Sequence, residues 1–145
     1  MKYFFQIVFA LFAFDNSSNN IAYKPDAFVA SRMNLKSEGK QSKMKDIVFG
    51  PDNKHQSMVN ENNEPKGIKQ VLIERRLWRD GLNADCQLCK DKIEDMNQTN
   101  CCAQRIISLQ PDFLSQKSAL KEAILKARHK CIFYPKFHCE LNYIE

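Results

Sequence analysis

The residues best suited to chemistry are cysteines in the second half of the chain. Cys86 and Cys89 form a C-x-x-C pair, and the adjacent Cys101 and Cys102 follow after eleven residues. Four thiolates at this spacing can bind one Zn²⁺ tetrahedrally, although two adjacent cysteines are awkward ligands for the same ion. The pattern therefore predicts a structural zinc site, with free thiols or disulfides as the alternatives that the spacing leaves open.

A second chemical group, the carboxylate of Asp15, follows the most apolar stretch of the chain. Residues Ile7 to Phe14 are apolar on both faces, as a buried strand of a parallel sheet requires. A carboxylate at the carboxyl end of such a strand, followed by a polar loop, lies where open α/β sheets place their chemistry. Asp15 is therefore a candidate catalytic or metal-binding residue.

The same N-terminal stretch also fits a secretory signal peptide. Met1-Lys2 precedes the apolar run Tyr3 to Phe14, which is too short for an ordinary transmembrane helix. Glycosylation sequons at Asn16 and Asn97 agree with secretion, but no small-x-small cleavage site lies at a suitable distance after the run. Composition alone leaves two interpretations open: a buried strand of an intracellular protein, or the leader of a small disulfide-containing secreted protein.

Length and composition indicate one ordinary globular domain. The 145 residues are 43% hydrophobic and 27% charged, and only 4 Gly and 5 Pro argue against a turn-dense all-β fold. The net charge of +5 is compatible with a polyanionic partner without requiring one.

Periodicity predicts, in order, a strand ending at Asp15, a helix over Asp26 to Asn34, a mobile polar loop from Pro51 to Pro65, helices over Ile68 to Trp78 and Ala103 to Leu109, one long helix opened by Pro111, and a strand over Cys131 to Tyr134. This order of elements is typical of α/β proteins, with a right-handed crossover if the two terminal strands are parallel.

The end of the chain, "FYPKFHCELNYIE", resembles the motif that carries the third catalytic acid of mariner-like DDE transposases. The run "FAFDNSSNN" resembles the family's second acid motif, an Asp-Asn pair after an apolar strand. The longer pattern "KGIKQVL…CC…LQPDF…FYPKFHCELN" is similar to fungal genome-encoded DDE superfamily endonucleases. The resemblance covers Leu11 to Glu145.

The resemblance implies a catalytic role for two carboxylates. Asp15 matches the second acid and Glu145 the third, and together they would bind Mg²⁺ or Mn²⁺ at a two-metal site for phosphodiester cleavage. The family's first acid lies upstream of anything in this sequence, and Asn20 stands where the family has a histidine. We therefore expect the remnant of a transposase, the C-terminal fragment of its catalytic domain, to be inactive by itself.

The fold implied by this resemblance is a partial RNase H-like α/β fold. Residues 1–23 would hold the first strand and the second acid motif, and 111–145 the helix, strand and third acid motif. Because the two acids are much farther apart than is usual in the family, residues 24–110 would form a long, cysteine-containing, partly disordered insertion with a basic loop.

DNA is the partner that the resemblance implies, in a nuclear or intracellular location and without membrane association. Five basic residues could follow a DNA backbone, although such a stretch is ordinarily a solvated loop: Arg32, Lys36, Lys40, Lys43 and Lys45. Another subunit or a full-length transposase could complete the catalytic site. The competing hypotheses are the secreted protein described above and a zinc-bearing DNA-binding or interaction module without catalysis.

Overall fold

The computed structural model describes residues 9–50, 52–90 and 99–135, which fall into two compact units. One unit comprises residues 25–116, and the other combines the segments before Pro25 and after Gln116. The secondary structure is mixed, as the predicted α/β class requires. The elements are β1 (Leu11–Phe14), a 3₁₀ turn (Ala30–Arg32), β2 (Ile47–Phe49), β3 (Lys54–Gln56), α1 (Ile68–Glu74), α2 (Gln87–Lys90), α3 (Ala103–Ser108), α4 (Pro111–Leu114), α5 (Ala119–Lys126) and β4 (Lys130–Phe133).

In the smaller unit, β1 and β4 form a parallel two-stranded sheet. Leu11 lies opposite Lys130 and Phe14 opposite Phe133, so the strand that precedes Asp15 is paired over its whole length. The two strands that the sequence predicts, one ending at Asp15 and one over Cys131 to Tyr134, therefore share one sheet. The helix α5 lies between them in sequence, as expected for a parallel connection.

The prediction that this first strand is buried on both faces is wrong for its described part. Leu11 is 62% exposed and Phe12 is 40% exposed. In the described part of the chain β1 has a single neighbouring strand, and a two-stranded sheet covers little of the surface of either strand. The part of the predicted strand before Phe9 lies outside the described residues.

The long helix predicted from Pro111 is two helices. Its first part, α4, ends at Leu114, and α5 begins at Ala119. Ser118 has an extended backbone, and its hydroxyl accepts a hydrogen bond from the backbone N–H of Lys121 at 3.3 Å. A serine in this conformation caps the start of a new helix. Capping by Ser118 therefore favours a separate α5 over a continuation of α4.

The larger unit contains the main hydrophobic core. Val71 and Leu72 of α1 and Ile107 of α3 are fully buried in it. The helix predicted over Ile68 to Trp78 is shorter than expected, because Arg76 takes a left-handed backbone conformation with φ 60°. The backbone N–H of Leu77 then donates to the carbonyl of Leu72 at 2.8 Å, which closes the helix.

Part of the predicted mobile loop between Pro51 and Pro65 belongs to a β-hairpin, since β3 lies within it and β2 lies just before it. β2 and β3 pair antiparallel, with Ile47 opposite Gln56, and Met58 after the hairpin is only 2% exposed. One buried methionine and one buried glutamine therefore fix a segment that is otherwise polar. The helix predicted over Asp26 to Asn34 is reduced to the 3₁₀ turn at Ala30–Arg32. Among the described residues, no helix is both long and apolar enough to cross a membrane.

Candidate metal centre

Two short segments of the larger unit carry the four clustered cysteines. Cys86 precedes α2 and Cys89 lies within it, whereas Cys101 and Cys102 immediately precede α3. Backbone hydrogen bonds join the segments: the N–H of Ala103 donates to Asn83 at 2.9 Å, and that of Gln104 donates to Ala84 at 3.0 Å. These bonds involve backbone atoms only, so no side-chain pattern in the sequence could have indicated them.

The sulfur atoms of the four cysteines converge on one point. The Sγ atom of Cys89 lies 3.6 Å from that of Cys101 and 3.7 Å from that of Cys102. The adjacent Cys101 and Cys102 have their sulfurs 4.0 Å apart, and all four Sγ atoms, including that of Cys86, lie within 4.8 Å of one another. A tetrahedral zinc ion with Zn–S bonds of about 2.3 Å separates its sulfurs by about 3.8 Å. The adjacent cysteines therefore do not prevent a single ion from being held.

Partial burial and local hydrogen bonds shape the chemistry of these thiols. A hydrogen bond from the backbone of Cys89 lowers the pKa of Cys86. Burial raises the pKa of Cys89 and that of Cys101, because their thiolates lose hydration. A divalent cation supplies the missing stabilisation and holds such thiols in the deprotonated form.

Cys102 is the most enclosed of the four cysteines. It is fully buried and caps α3, where its Sγ accepts a hydrogen bond from the backbone N–H of Arg105 at 3.4 Å. Such a donor offsets part of the negative charge of a metal-bound thiolate. The five described cysteines carry free thiols, and Cys131, which lies outside the cluster in β4, is half-buried.

Of the two carboxylates predicted to bind Mg²⁺, Asp15 is the one that lies among the described residues. Asp15 is exposed just after β1, and the side-chain amide of Asn20 donates to its Oδ1. Glu145 lies outside the described residues, so the expected approach of the two acids is not tested. Within the described ranges, the four cysteines are the only group of three or more potential ligands close enough for one ion, and Asp15 belongs to no such group.

The predicted DNA-contacting residues lie in the larger unit. Arg32 ends the 3₁₀ turn and is half-buried. The four lysines of the set, Lys36, Lys40, Lys43 and Lys45, are exposed. The Nζ atom of Lys45 lies 5.1 Å from the centre of the Phe28 ring, a cation–π contact within the unit. A role for these residues in DNA binding stays a prediction.

The geometry of the four sulfurs is thus the most specific chemical feature of the described structure. No protein-family model matches the chain, and comparisons with curated proteins and with solved structures find no match either.

Proposed function

We propose that Cys86, Cys89, Cys101 and Cys102 form a structural Zn²⁺ centre, and that the chain acts as a zinc-bearing interaction module. The observation that carries this proposal is the convergence of four sulfurs within 4.8 Å of one another, with separations of 3.6, 3.7 and 4.0 Å among those of Cys89, Cys101 and Cys102. Four protein ligands fill a tetrahedral site and leave no position for water or substrate, which is typical of structural rather than catalytic zinc.

The metal would act by joining the C-x-x-C segment to the start of α3. Ala103 and Ile107 of this helix are fully buried in the core of the larger unit. Metal binding therefore couples directly to the packing of the core, since a site that is absent from the unfolded chain contributes its binding energy to folding. Thiolate ligation suits a reducing compartment, which supports the proposed nuclear or intracellular location.

The test is a measurement of metal content. Protein purified under reducing conditions should carry about one Zn²⁺ per chain. The double substitution Cys86→Ser and Cys89→Ser should abolish binding, whereas Cys131→Ser, which removes a thiol outside the cluster, should leave it unchanged. Metal-free protein with four reactive thiols at this site would overturn the proposal.

A second proposed function, that of a DDE transposase remnant, is favoured by the strand pairing. The carboxyl ends of parallel strands meet at the same edge of a sheet. The backbone N–H of Tyr134 donates to the carbonyl of Phe14 at 2.8 Å, so the residues after β4 leave the sheet next to Asp15. This arrangement supports a partial RNase H-like fold, and Glu145 of the third acid motif lies outside the described residues. It agrees with descent from an enzyme that cuts DNA with Mg²⁺ or Mn²⁺.

A two-metal site that holds only Asp15 and Glu145 leaves at least one ion under-coordinated, so we expect these 145 residues, tested alone, not to cut DNA. The measurement is nicking of supercoiled plasmid with Mg²⁺ or Mn²⁺, using Asp15→Asn and Glu145→Gln as controls. Nicking that either substitution abolishes would keep the family assignment and contradict the predicted inactivity. A structure with the two carboxylates on opposite faces would defeat the assignment itself.

A further inference from the structure

We infer that Cys89 and Cys101 are a redox modification site, at which a peroxide forms a disulfide and releases the zinc ion. This inference rests on the proposed zinc centre. Their Sγ atoms are 3.6 Å apart, the shortest of the three measured separations in the cluster, and both residues are half-buried rather than enclosed. A small oxidant can therefore reach either sulfur, and its partner lies within reach of a modest side-chain movement.

Two competing pairs are disfavoured by geometry. Cys102 is fully buried and its sulfur is engaged as the cap of α3, which protects it from oxidants. The adjacent pair, Cys101 and Cys102, is separated by one peptide bond. Consecutive Cα atoms are about 3.8 Å apart, whereas disulfide-linked residues have Cα atoms at least about 4.4 Å apart. Among Cys89, Cys101 and Cys102, the pair of Cys89 and Cys101 is therefore the one free of these obstacles, and the Cys86–Cys89 bridge is the competing outcome that the experiment must distinguish.

The reaction balances with the peroxide as the only oxidant. One thiolate attacks a peroxide oxygen, the O–O bond breaks, and a sulfenic acid and hydroxide form. The second thiolate then attacks the sulfenic sulfur, the S–S bond forms and a second hydroxide leaves. The two sulfurs lose two electrons in total, the peroxide gains them, and two protons convert both hydroxides to water.

Loss of the metal follows from the ligand count. Two of the four thiolates are consumed, and Cys86 and Cys102 alone do not complete the four-coordinate site that structural zinc requires. The new disulfide still joins the α2 segment to the start of α3, so it takes over the connection that the metal made. Oxidation is thus expected to replace the metal link between the α2 segment and α3 by a disulfide, without unfolding the larger unit.

The experiment uses the full chain, and its zinc content is measured before any oxidation. Hydrogen peroxide is then added, released zinc is followed with a chromogenic chelator, and disulfides are mapped by mass spectrometry after free thiols are blocked. About one zinc ion should appear per disulfide formed, the bridge should map to Cys89 and Cys101, and dithiothreitol with added zinc should reverse both changes. The Cys131→Ser variant should behave like the unmodified chain.

The outcomes separate the two proposals. Zinc-loaded protein that keeps its metal under peroxide, or that forms the Cys86–Cys89 disulfide instead, would overturn the inference and leave the zinc centre standing. A chain that holds no zinc before oxidation would overturn both. A requirement for Cys131 would also contradict the inference, because that thiol lies outside the cluster.

Discussion

Gly67 lies where the segment around Leu35 runs against the start of α1. The backbone N–H of Ile68 donates to Asn34 at 2.8 Å, and that of Lys69 donates to Leu35 at 3.0 Å. A Cβ atom on Gly67 would be 2.5 Å from the Leu35 carbonyl oxygen and closer still to the Lys36 carbonyl carbon. The two backbones therefore approach as closely as they do only because this position has no side chain.

The substitution Gly67→Ala should accordingly destabilise the larger unit. The clash is with backbone atoms, which cannot move aside without breaking these hydrogen bonds, so the expected loss is about 1–3 kcal/mol of the free energy of unfolding. Thermal unfolding followed by circular dichroism is the measurement. A melting temperature equal to that of the unmodified chain would show that the close approach does not exist.

Arg76 and Arg128 adopt the left-handed backbone conformation that glycine favours. They follow α1 and α5 with φ 60° and 62°, at the position where helices commonly end on glycine. Both side chains are exposed. A non-glycine residue in this conformation costs about 1–2 kcal/mol.

We therefore expect Arg76→Gly and Arg128→Gly each to raise the free energy of unfolding by roughly 0.5–1 kcal/mol, because the relieved strain exceeds the extra freedom of glycine in the unfolded chain. Denaturant unfolding of the two single variants and the double variant measures the effect. An unchanged or lowered midpoint in both single variants would contradict it.

At the scale of secondary-structure elements, a buried ion pair connects the end of α1 to α4. Arg75 and Asp112 make a bidentate contact, with N–O distances of 3.0 and 2.6 Å, and their side chains are only 2% and 9% exposed. The Nε atom of Arg75 also donates to Gln56 at 2.9 Å, and the guanidinium lies 4.7 Å from the centre of the Phe49 ring. Arg75, at the end of α1, thus contacts residues of α4, β2 and β3.

The substitution Asp112→Ala should cost about 3–5 kcal/mol, because it leaves the arginine charge buried without its partner. The pair of Lys24 and Glu122 has a similar distance of 2.8 Å, and its side chains are 48% and 22% exposed, so it is a more solvated comparison. Glu122→Ala should cost no more than about 1 kcal/mol, since solvent screens that pair. If chemical denaturation showed that Asp112→Ala and Glu122→Ala lower the free energy of unfolding equally, burial would not be what makes the Arg75–Asp112 pair important. Replacing both Arg75 and Asp112 by apolar residues should recover much of the loss.

The elements that the sequence predicted well are those with a local signal. The apolar spacing of Ile68, Val71 and Leu72 indicated α1, and the apolar runs around Phe12 and Ile132 indicated two strands, which the structure pairs in parallel. The C-x-x-C pair and the following cysteines indicated the group of potential metal ligands that the structure brings together.

The elements that the sequence missed depend on contacts that are distant along the chain. The hairpin of β2 and β3 depends on Gln56, whose side-chain amide donates to the carbonyl of Val71 at 3.3 Å. A polar residue in a polar segment gives no local indication of such burial. The break between α4 and α5 depends on Ser118 acting as a cap, and a serine inside an otherwise helical pattern does not by itself reveal which role it takes.

At the scale of the whole molecule, the chain passes twice from one unit to the other, after Lys24 and after Gln116. Within each unit, the residues near these two crossing points lie close together. In the larger unit, the backbone N–H of Phe28 donates to the side-chain oxygen of Gln116 at 3.1 Å. In the smaller unit, the N–H of Ala119 donates to the carbonyl of Ala22 at 2.8 Å. Adjacent entry and exit points are what a domain inserted into another requires. They support the hypothesis that the central part of the chain is an insertion.

The larger unit should therefore fold without the rest of the chain. All of the residues in its main hydrophobic cluster lie between Phe28 and Phe113, and the four cysteines lie within the same boundaries. A fragment of residues 25–116 should unfold cooperatively on heating and bind about as much zinc as the full chain, because neither its core nor the proposed zinc centre uses residues from outside. Circular dichroism and metal analysis of the fragment, measured beside the full chain, are the tests. A fragment that lacks a cooperative transition even with zinc present, while the full chain retains one, would show that the core depends on the segments before Pro25 and after Gln116.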